Sequence, residues 1–125
     1  MKRLVLESYL LLIKIDVLMH LGNLQSIHAL LRIRQVADIG ARAPRCAQDL
    51  CHAIDLACVF YFRTVLCLQR SAATTLLLRR FGHKAEMVIG AQMLPFKSHA
   101  WVEIDHAIVN DKPYMRETYQ VLERC

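Results

Sequence analysis

Three residues in the second half of the chain have side chains suited to covalent catalysis. Cys67 supplies a thiol, His99 an imidazole and Asp111 a carboxylate. A thiolate attacks carbonyl carbon, an imidazole moves the proton, and a carboxylate orients the imidazole. These residue types therefore indicate acyl-transfer chemistry of the cysteine-peptidase kind, provided that the fold brings them together.

The thiol lies at a position where a helix is expected to begin. An apolar pattern over residues 66–81 predicts a helix that ends at Gly82, with Cys67 in its first turn. The N-terminus of a helix favours a thiolate, and its free backbone N–H groups can stabilise an oxyanion. The sequence thus predicts Cys67 as the nucleophile, with its own backbone N–H as an oxyanion donor.

The imidazole lies on a segment that alternates with a period of two. Over residues 98–104, one face carries Ala100, Val102 and Ile104, and the other carries His99, Trp101 and Glu103. This pattern is typical of a half-buried strand. If the aliphatic face packs on the core, His99 lies on the open face and can reach a thiol on a neighbouring helix.

The position of Asp111 depends on how the next turn is built. A second strand is predicted over residues 107–111. A three-residue loop, 104–106, places Asp111 directly opposite His99, whereas a two-residue loop, 105–106, places it opposite Ala100 on the wrong face. A catalytic triad therefore predicts the three-residue loop. On these residues alone, a buried cysteine and a surface histidine remain the alternative.

The remainder of the chain predicts helices before the strands. Helical patterns cover residues 4–19, 24–39 and 45–62, and a β-rich run covers residues 85–91. This order predicts an α+β fold, in which N-terminal helices precede a catalytic helix packed on a small antiparallel sheet. We expect one domain, 1–125, with a helical layer at 1–64 and a catalytic core at 65–125. The first helix is apolar on most sides, which predicts burial or a partner.

Composition argues against several classes of partner and location. The 125 residues carry a net charge of +5, but the basic residues are scattered and no nucleic-acid motif accompanies them. Charged residues interrupt the apolar N-terminal stretch, so neither a signal peptide nor stable membrane insertion is expected. Five irregularly spaced cysteines fit a reducing cytoplasm better than a disulfide framework. The spacing of Cys46, Cys51, His52 and Cys58 fits no zinc or haem motif, so no metal or cofactor is expected.

Blocks of sequence around the three residues resemble one family, the leader-cleaving proteases of lasso-peptide biosynthesis. The match covers about residues 65–122, in the family's order. The blocks are Cys67-Leu68-Gln69-Arg70-Ser71, Leu76-Leu77-Leu78-Arg79-Arg80-Phe81-Gly82, Val88-Ile89-Gly90, His99-Ala100-Trp101-Val102-Glu103 and Asn110-Asp111. Two positions depart from the family pattern: Gln69 stands where proline often begins the helix, and His106 stands where glycine is usual.

The resemblance implies a transglutaminase-like, papain-like core and a specific activity. Such enzymes remove the leader from a ribosomally made lasso precursor peptide, here through Cys67, His99 and Asp111, before an ATP-dependent cyclase closes the ring. Because residues 1–64 are predicted to be helical without strands, leader recognition is expected to come from a separate protein. Trp101, Glu103 and Arg70 are candidate substrate-binding residues, since two share a face with His99 and the third lies near Cys67.

Two alternatives to leader cleavage remain at this stage. One is a transglutaminase-like acyl transferase, which would use the same triad with an amine as acceptor. The other is a non-enzymatic helical scaffold that binds a peptide or protein.

Overall fold

In the computed structural model, which describes residues 2–22, 24–33, 45–93 and 96–125, helices come first and strands follow. The helices are α1 (Lys2–Leu21), α2 (Leu24–Ile33), α3 (Ala47–Phe60), α4 (Cys67–Arg80) and α5 (Met115–Thr118). The strands are β1 (Ala85–Met93), β2 (Phe96–Ile104), β3 (Ala107–Ile108) and β4 (Gln120–Arg124). The α+β prediction is confirmed.

The four strands form one antiparallel sheet in the order β3-β2-β1-β4. Strands β1 and β2 pair along their whole length, from Ala85 opposite Ile104 to Met93 opposite Phe96. Strand β4 returns to the free edge of β1, whereas β3 covers only the last two residues of β2. Among the described residues, therefore, most of this edge of β2 has no strand beside it.

Helix α4 is the centre of the molecule. Every residue from 71 to 79 is buried, because the helix packs on one face of the sheet and is covered by α1, α2 and α3 on its other sides. The main core contains Leu77 of α4, Met87 of β1 and Val102 of β2, together with Leu11 and Ile54 from the helical layer. The helix that begins at Cys67 is thus held by both the sheet and the N-terminal helices.

The second face of the sheet is also covered, which corrects the half-buried assignment of β2. Trp101 and Val88 pack there against Met115, with Tyr119 and Val121 at the margin. The covering residues belong to α5 and β4, neither of which the sequence predicted. The segment carries no apolar run, and the alternation of β4 leaves only its second and fourth residues partly buried.

Several other boundaries differ from those predicted. The strand expected at 107–111 contains only two residues, and the strands expected at 85–91 and 98–104 are each about two residues longer. The predicted second helix is present from Leu24 to Ile33, but its expected end near residue 39 and the loop at 41–44 lie outside the described residues, as does the turn at 94–95. Among the described helices, none combines the length and the apolar character needed to cross a bilayer.

Arg79 links four parts of the fold although it lies at the end of α4. The side chain is buried and donates hydrogen bonds to the carbonyl oxygens of Leu31 at the end of α2, Ala85 at the start of β1 and Cys125 after β4. Burial lowers the pKa of its guanidinium. Its partners are carbonyl groups that lie outside its own helix.

Candidate active site

His99 and Asp111 contact each other directly. The Nε2 atom of His99 lies 2.5 Å from Oδ2 of Asp111, and both side chains are mostly buried. The other carboxylate oxygen of Asp111 accepts the backbone N–H of Lys112 at 2.8 Å. Because the carboxylate accepts a hydrogen bond from Nε2–H, Nδ1 is the imidazole nitrogen that can exchange a proton with a thiol.

The turn that precedes Asp111 is not the one predicted from sequence. Ile104 pairs with Ala107 and Glu103 with Ile108, so the loop contains only Asp105 and His106. Both loop residues have positive φ, 49° and 66°, as in the tight turns that close two-residue hairpins. The prediction of a three-residue loop was wrong. The contact between His99 and Asp111 is present without that loop, so the predicted dependence of the contact on the loop was also wrong.

Asn110 explains why Asp111 still reaches His99. Val109 continues the ladder by donating its N–H to Val102 O at 3.0 Å, but the N–H of Val102 donates at 2.7 Å to the side-chain Oδ1 of Asn110. The amide thus takes the place of a backbone carbonyl, and the chain leaves the strand at this point. Asp111 is therefore free of the pairing that would have placed it opposite Ala100.

The same amide connects the hairpin to the helix of Cys67. Asn110 Nδ2 donates to Ser71 Oγ at 3.3 Å, and Ser71 Oγ donates to the backbone oxygen of Ala100 at 3.1 Å. All these groups are buried. Ser71 lies one helical turn after Cys67, and Ala100 is the neighbour of His99, so this network fixes the helix against the strand next to the proposed site.

Cys67 is the first residue of α4 and is half-buried. The preceding residue, Leu66, donates its backbone N–H to Oε1 of Gln69 at 3.1 Å. Groups at the first turn of a helix have no intrahelical acceptor, so the N–H of Cys67 is available to a ligand. The predicted helix start is therefore correct to one residue.

The direction of α4 brings Cys67 to the His99 end of β2. Ser71 contacts Ala100, and eight residues later Arg79 contacts Ala85, which pairs with Ile104. Eight helical residues rise about 12 Å and four strand residues about 13 Å, so the helix and strand run alongside each other in the same direction. One turn back from Ser71, about 6 Å along the helix, corresponds to about two strand residues before Ala100, so Cys67 lies toward the end of β2 that carries His99.

Aromatic rings hold the imidazole from the second face of the sheet. The ring of Tyr119 stacks on His99 with centroids 5.5 Å apart, and Trp101 lies 6.2 Å from the imidazole. Gly90 makes room for them, since a Cβ there would lie 2.7 Å from the Trp101 ring and 2.9 Å from Tyr119 Cβ. Sequence reasoning missed Tyr119, because its approach depends on β4 returning to β1.

The comparisons with known proteins fit this geometry. A sequence profile of the transglutaminase-like superfamily matches residues 9–124. The chain belongs to the transglutaminase-like superfamily. It is also 39% identical over 56 residues to the Microcin J25-processing protein McjB of Escherichia coli. That match spans 45% of this chain and 27% of McjB. No solved structure matches the chain at a significant level.

In this transglutaminase-like chain, two of the predicted substrate-binding residues lie beneath the site. Trp101 and Glu103 are fully buried, not on an open face as the alternation predicted. Trp101 Nε1 donates to Glu103 Oε2 at 2.8 Å, and Arg124 of β4 contacts the other carboxylate oxygen at 2.8 Å. The structure thus places them where they support the sheet and the packing around His99.

Arg70 pairs with a carboxylate of the helical layer. Its guanidinium lies 2.7 Å from Asp55 of α3, and the arginine side chain remains 31% exposed. The observed partner of this candidate substrate-binding residue is therefore a carboxylate of the protein itself. An exposed pair of this kind contributes about 0–1 kcal/mol to stability.

One cluster in the described chain has the side chains of a metal site. His28, Glu123 and Cys125 bring ligand atoms within 4.8 Å of one another, and Nε2 of His28 has no hydrogen-bond partner among the described residues. Two arginines lie beside it: Arg32 contacts Glu123 at 3.1 Å and Arg79 donates to Cys125 O. These cations disfavour a metal ion, and burial raises the pKa of the Cys125 thiol, which favours its neutral form. We assign the cluster to ion pairing between α2 and β4.

Proposed function

We propose that this protein is a cysteine peptidase that removes the leader from a ribosomally synthesised lasso precursor peptide. The contact between His99 and Asp111 carries the proposal. Helix α4, which packs along β2, begins with Cys67. The partial match to a microcin-processing protein and the sequence blocks around the triad support the substrate class.

In the proposed mechanism, each of the three residues has one role. The Cys67 thiolate attacks the carbonyl carbon of the scissile bond, and the N–H of Cys67 faces the developing oxyanion. The tetrahedral intermediate collapses, His99 Nδ1–H gives its proton to the leaving amine, and an acyl-thioester remains. His99 then takes a proton from water, which attacks the thioester and releases the new carboxylate and the thiol. Asp111 keeps the imidazole in the required tautomer throughout.

The partners implied by the family resemblance belong to the same proposal. A separate leader-recognition protein would present the precursor peptide, and an ATP-dependent cyclase would use the released core. We place the reaction in the cytoplasm, where a reactive thiol stays reduced.

Incubation of the purified protein with a synthetic precursor, with and without the recognition protein, tests the proposal by mass spectrometry. The wild type should yield two hydrolysis fragments, and Cys67→Ala should yield none. Cys58→Ala, which removes another half-buried cysteine, is the matched control and should remain active. An amide adduct with an added amine would favour the acyl transferase. Full function of Cys67→Ala would favour the scaffold and refute the peptidase.

A further inference from the structure

Asp16 is a buried charge that the triad does not use. It lies on the inner face of α1, and its side chain is 12% exposed. A carboxylate in such a place destabilises the fold unless hydrogen bonds and a counter-charge compensate for the lost water. The contacts of Asp16 therefore indicate the role of this buried carboxylate.

The Asp16 carboxylate accepts hydrogen bonds from the segment that leads into α4. Oδ2 accepts the hydroxyl of Tyr61 at 3.1 Å and Nη1 of Arg63 at 3.2 Å. Burial and the hydrogen bond to Asp16 raise the pKa of Tyr61 to about 12. Residues 61–66 connect α3 to α4, so Asp16 holds this connection from the opposite helix.

A third contact reaches the catalytic helix itself. Oδ1 of Asp16 accepts Nε2 of Gln69 at 3.2 Å, and Oε1 of the same amide accepts the backbone N–H of Leu66 at 3.1 Å. A carboxylate can only accept and a backbone N–H can only donate, so the amide has a single orientation that satisfies both. Asp16 thereby determines how Gln69 caps the residue before Cys67.

We propose that Asp16 is a positioning residue for Cys67, acting through Gln69 at the start of α4. This inference rests on the proposed role of Cys67 as nucleophile. The carboxylate fixes the amide, the amide fixes the Leu66 N–H, and the next residue carries both the thiol and the oxyanion N–H. The departure from proline at position 69 thus has a use, because proline has no side chain that could make this link.

The test is the second-order rate of Cys67 alkylation by iodoacetamide, followed by peptide mass spectrometry over a range of pH. Asp16→Asn and Gln69→Glu should each change this rate, and each should lower kcat for precursor cleavage about 10- to 100-fold with KM within about two-fold, as expected for a misplaced nucleophile. The double variant Asp16→Asn with Gln69→Glu restores a donor facing an acceptor, and should return both values to within about three-fold of wild type.

Tyr61→Phe is the matched control, since it removes a hydrogen bond from Asp16 and leaves Gln69 intact. It should lower the melting temperature and leave the alkylation rate unchanged. The proposal is refuted if the single variants melt earlier but alkylate at the wild-type rate, or if the double variant folds without rescue. Alkylation needs no substrate, so a wild-type protein that cleaves no precursor would refute the peptidase assignment and leave this test intact.

Discussion

At the scale of single residues, the sequence identified chemistry better than placement. Cys67, His99 and Asp111 were selected by type and local position, and two of them are in direct contact. Ser71 and Asn110 stood in the family blocks without a role, and Tyr119 was missed, because their partners lie far along the chain or on an element that was not predicted. Polar side chains of this kind give no periodic signal, so only the fold reveals them.

We expect Asp111→Asn to lower kcat by about 10³-fold or more, because the amide disfavours the required imidazole tautomer and no longer balances the imidazolium charge. Single-turnover cleavage followed by mass spectrometry measures this effect. Asp105→Asn in the adjoining turn is the control and should stay close to wild type. A loss of less than ten-fold for Asp111→Asn would argue against its orienting role.

At the scale of elements, helices were predicted well and the second half of the hairpin was not. The start of α4 was predicted to within one residue, whereas β3 was predicted to contain five residues and contains two. Beyond Ile108, the side-chain amide of Asn110 takes the place of a backbone hydrogen-bond acceptor. A pattern of alternating residues cannot predict such a replacement. Helix α5 and strand β4 were missed because they are short and largely polar on one side.

The buried network between the hairpin and α4 predicts coupled losses of stability. Asn110→Ala leaves the N–H of Val102 without an acceptor and should cost about 1–3 kcal/mol. Ser71→Ala should lower the stability by less. It removes one donor from the Ala100 carbonyl oxygen and one acceptor from the Asn110 side-chain N–H. Because the two side chains contact each other, urea titrations of the singles and the double should show a coupling of about 0.5 kcal/mol or more. Strict additivity would contradict the network.

At the scale of the whole molecule, the α+β class followed from the order of patterns, but the order of strands did not. Nothing local in residues 120–124 indicates that they pair with β1, 29 to 36 residues earlier in the chain. Arg79 shows the same limit, because its partners are backbone groups in α2, β1 and the residue after β4. Such long-range contacts join the helical layer and the sheet into one folded body.

Arg79→Met should therefore destabilise the protein by about 3 kcal/mol or more, since several buried carbonyl groups lose their donor. Its neighbour provides the control. Arg80 pairs with Glu7 at 3.0 Å and is partly exposed, so Arg80→Met should cost about 1 kcal/mol or less. Urea unfolding followed by circular dichroism compares the two, and equal losses would contradict the role assigned to Arg79.

The outer face of α1 was expected to be buried or covered by a partner, and in the isolated chain it is open. Leu6, Leu10, Ile13 and Val17 follow a four-three-four spacing and are 36–61% exposed. An apolar stripe of this kind is typical of an interaction surface, and under the proposed function its expected occupant is the proposed leader-recognition protein. Leu6→Glu with Leu10→Glu should weaken binding of that protein at least ten-fold by calorimetry and leave cleavage of a short peptide unchanged. Leu122→Glu, on β4, is the control, and equal affinities would contradict the assignment.

The turn at Asp105 and His106 has a consequence for how the site is assembled during folding. Both residues adopt a left-handed backbone, which costs roughly 1–2 kcal/mol per residue in L-amino acids, with aspartate and histidine among the more tolerant. A turn with this cost does not favour early closure of its hairpin. We expect β2 to dock on α4 first and the chain through Asp111 to close afterwards, so that the acid reaches the imidazole as one of the last events of folding.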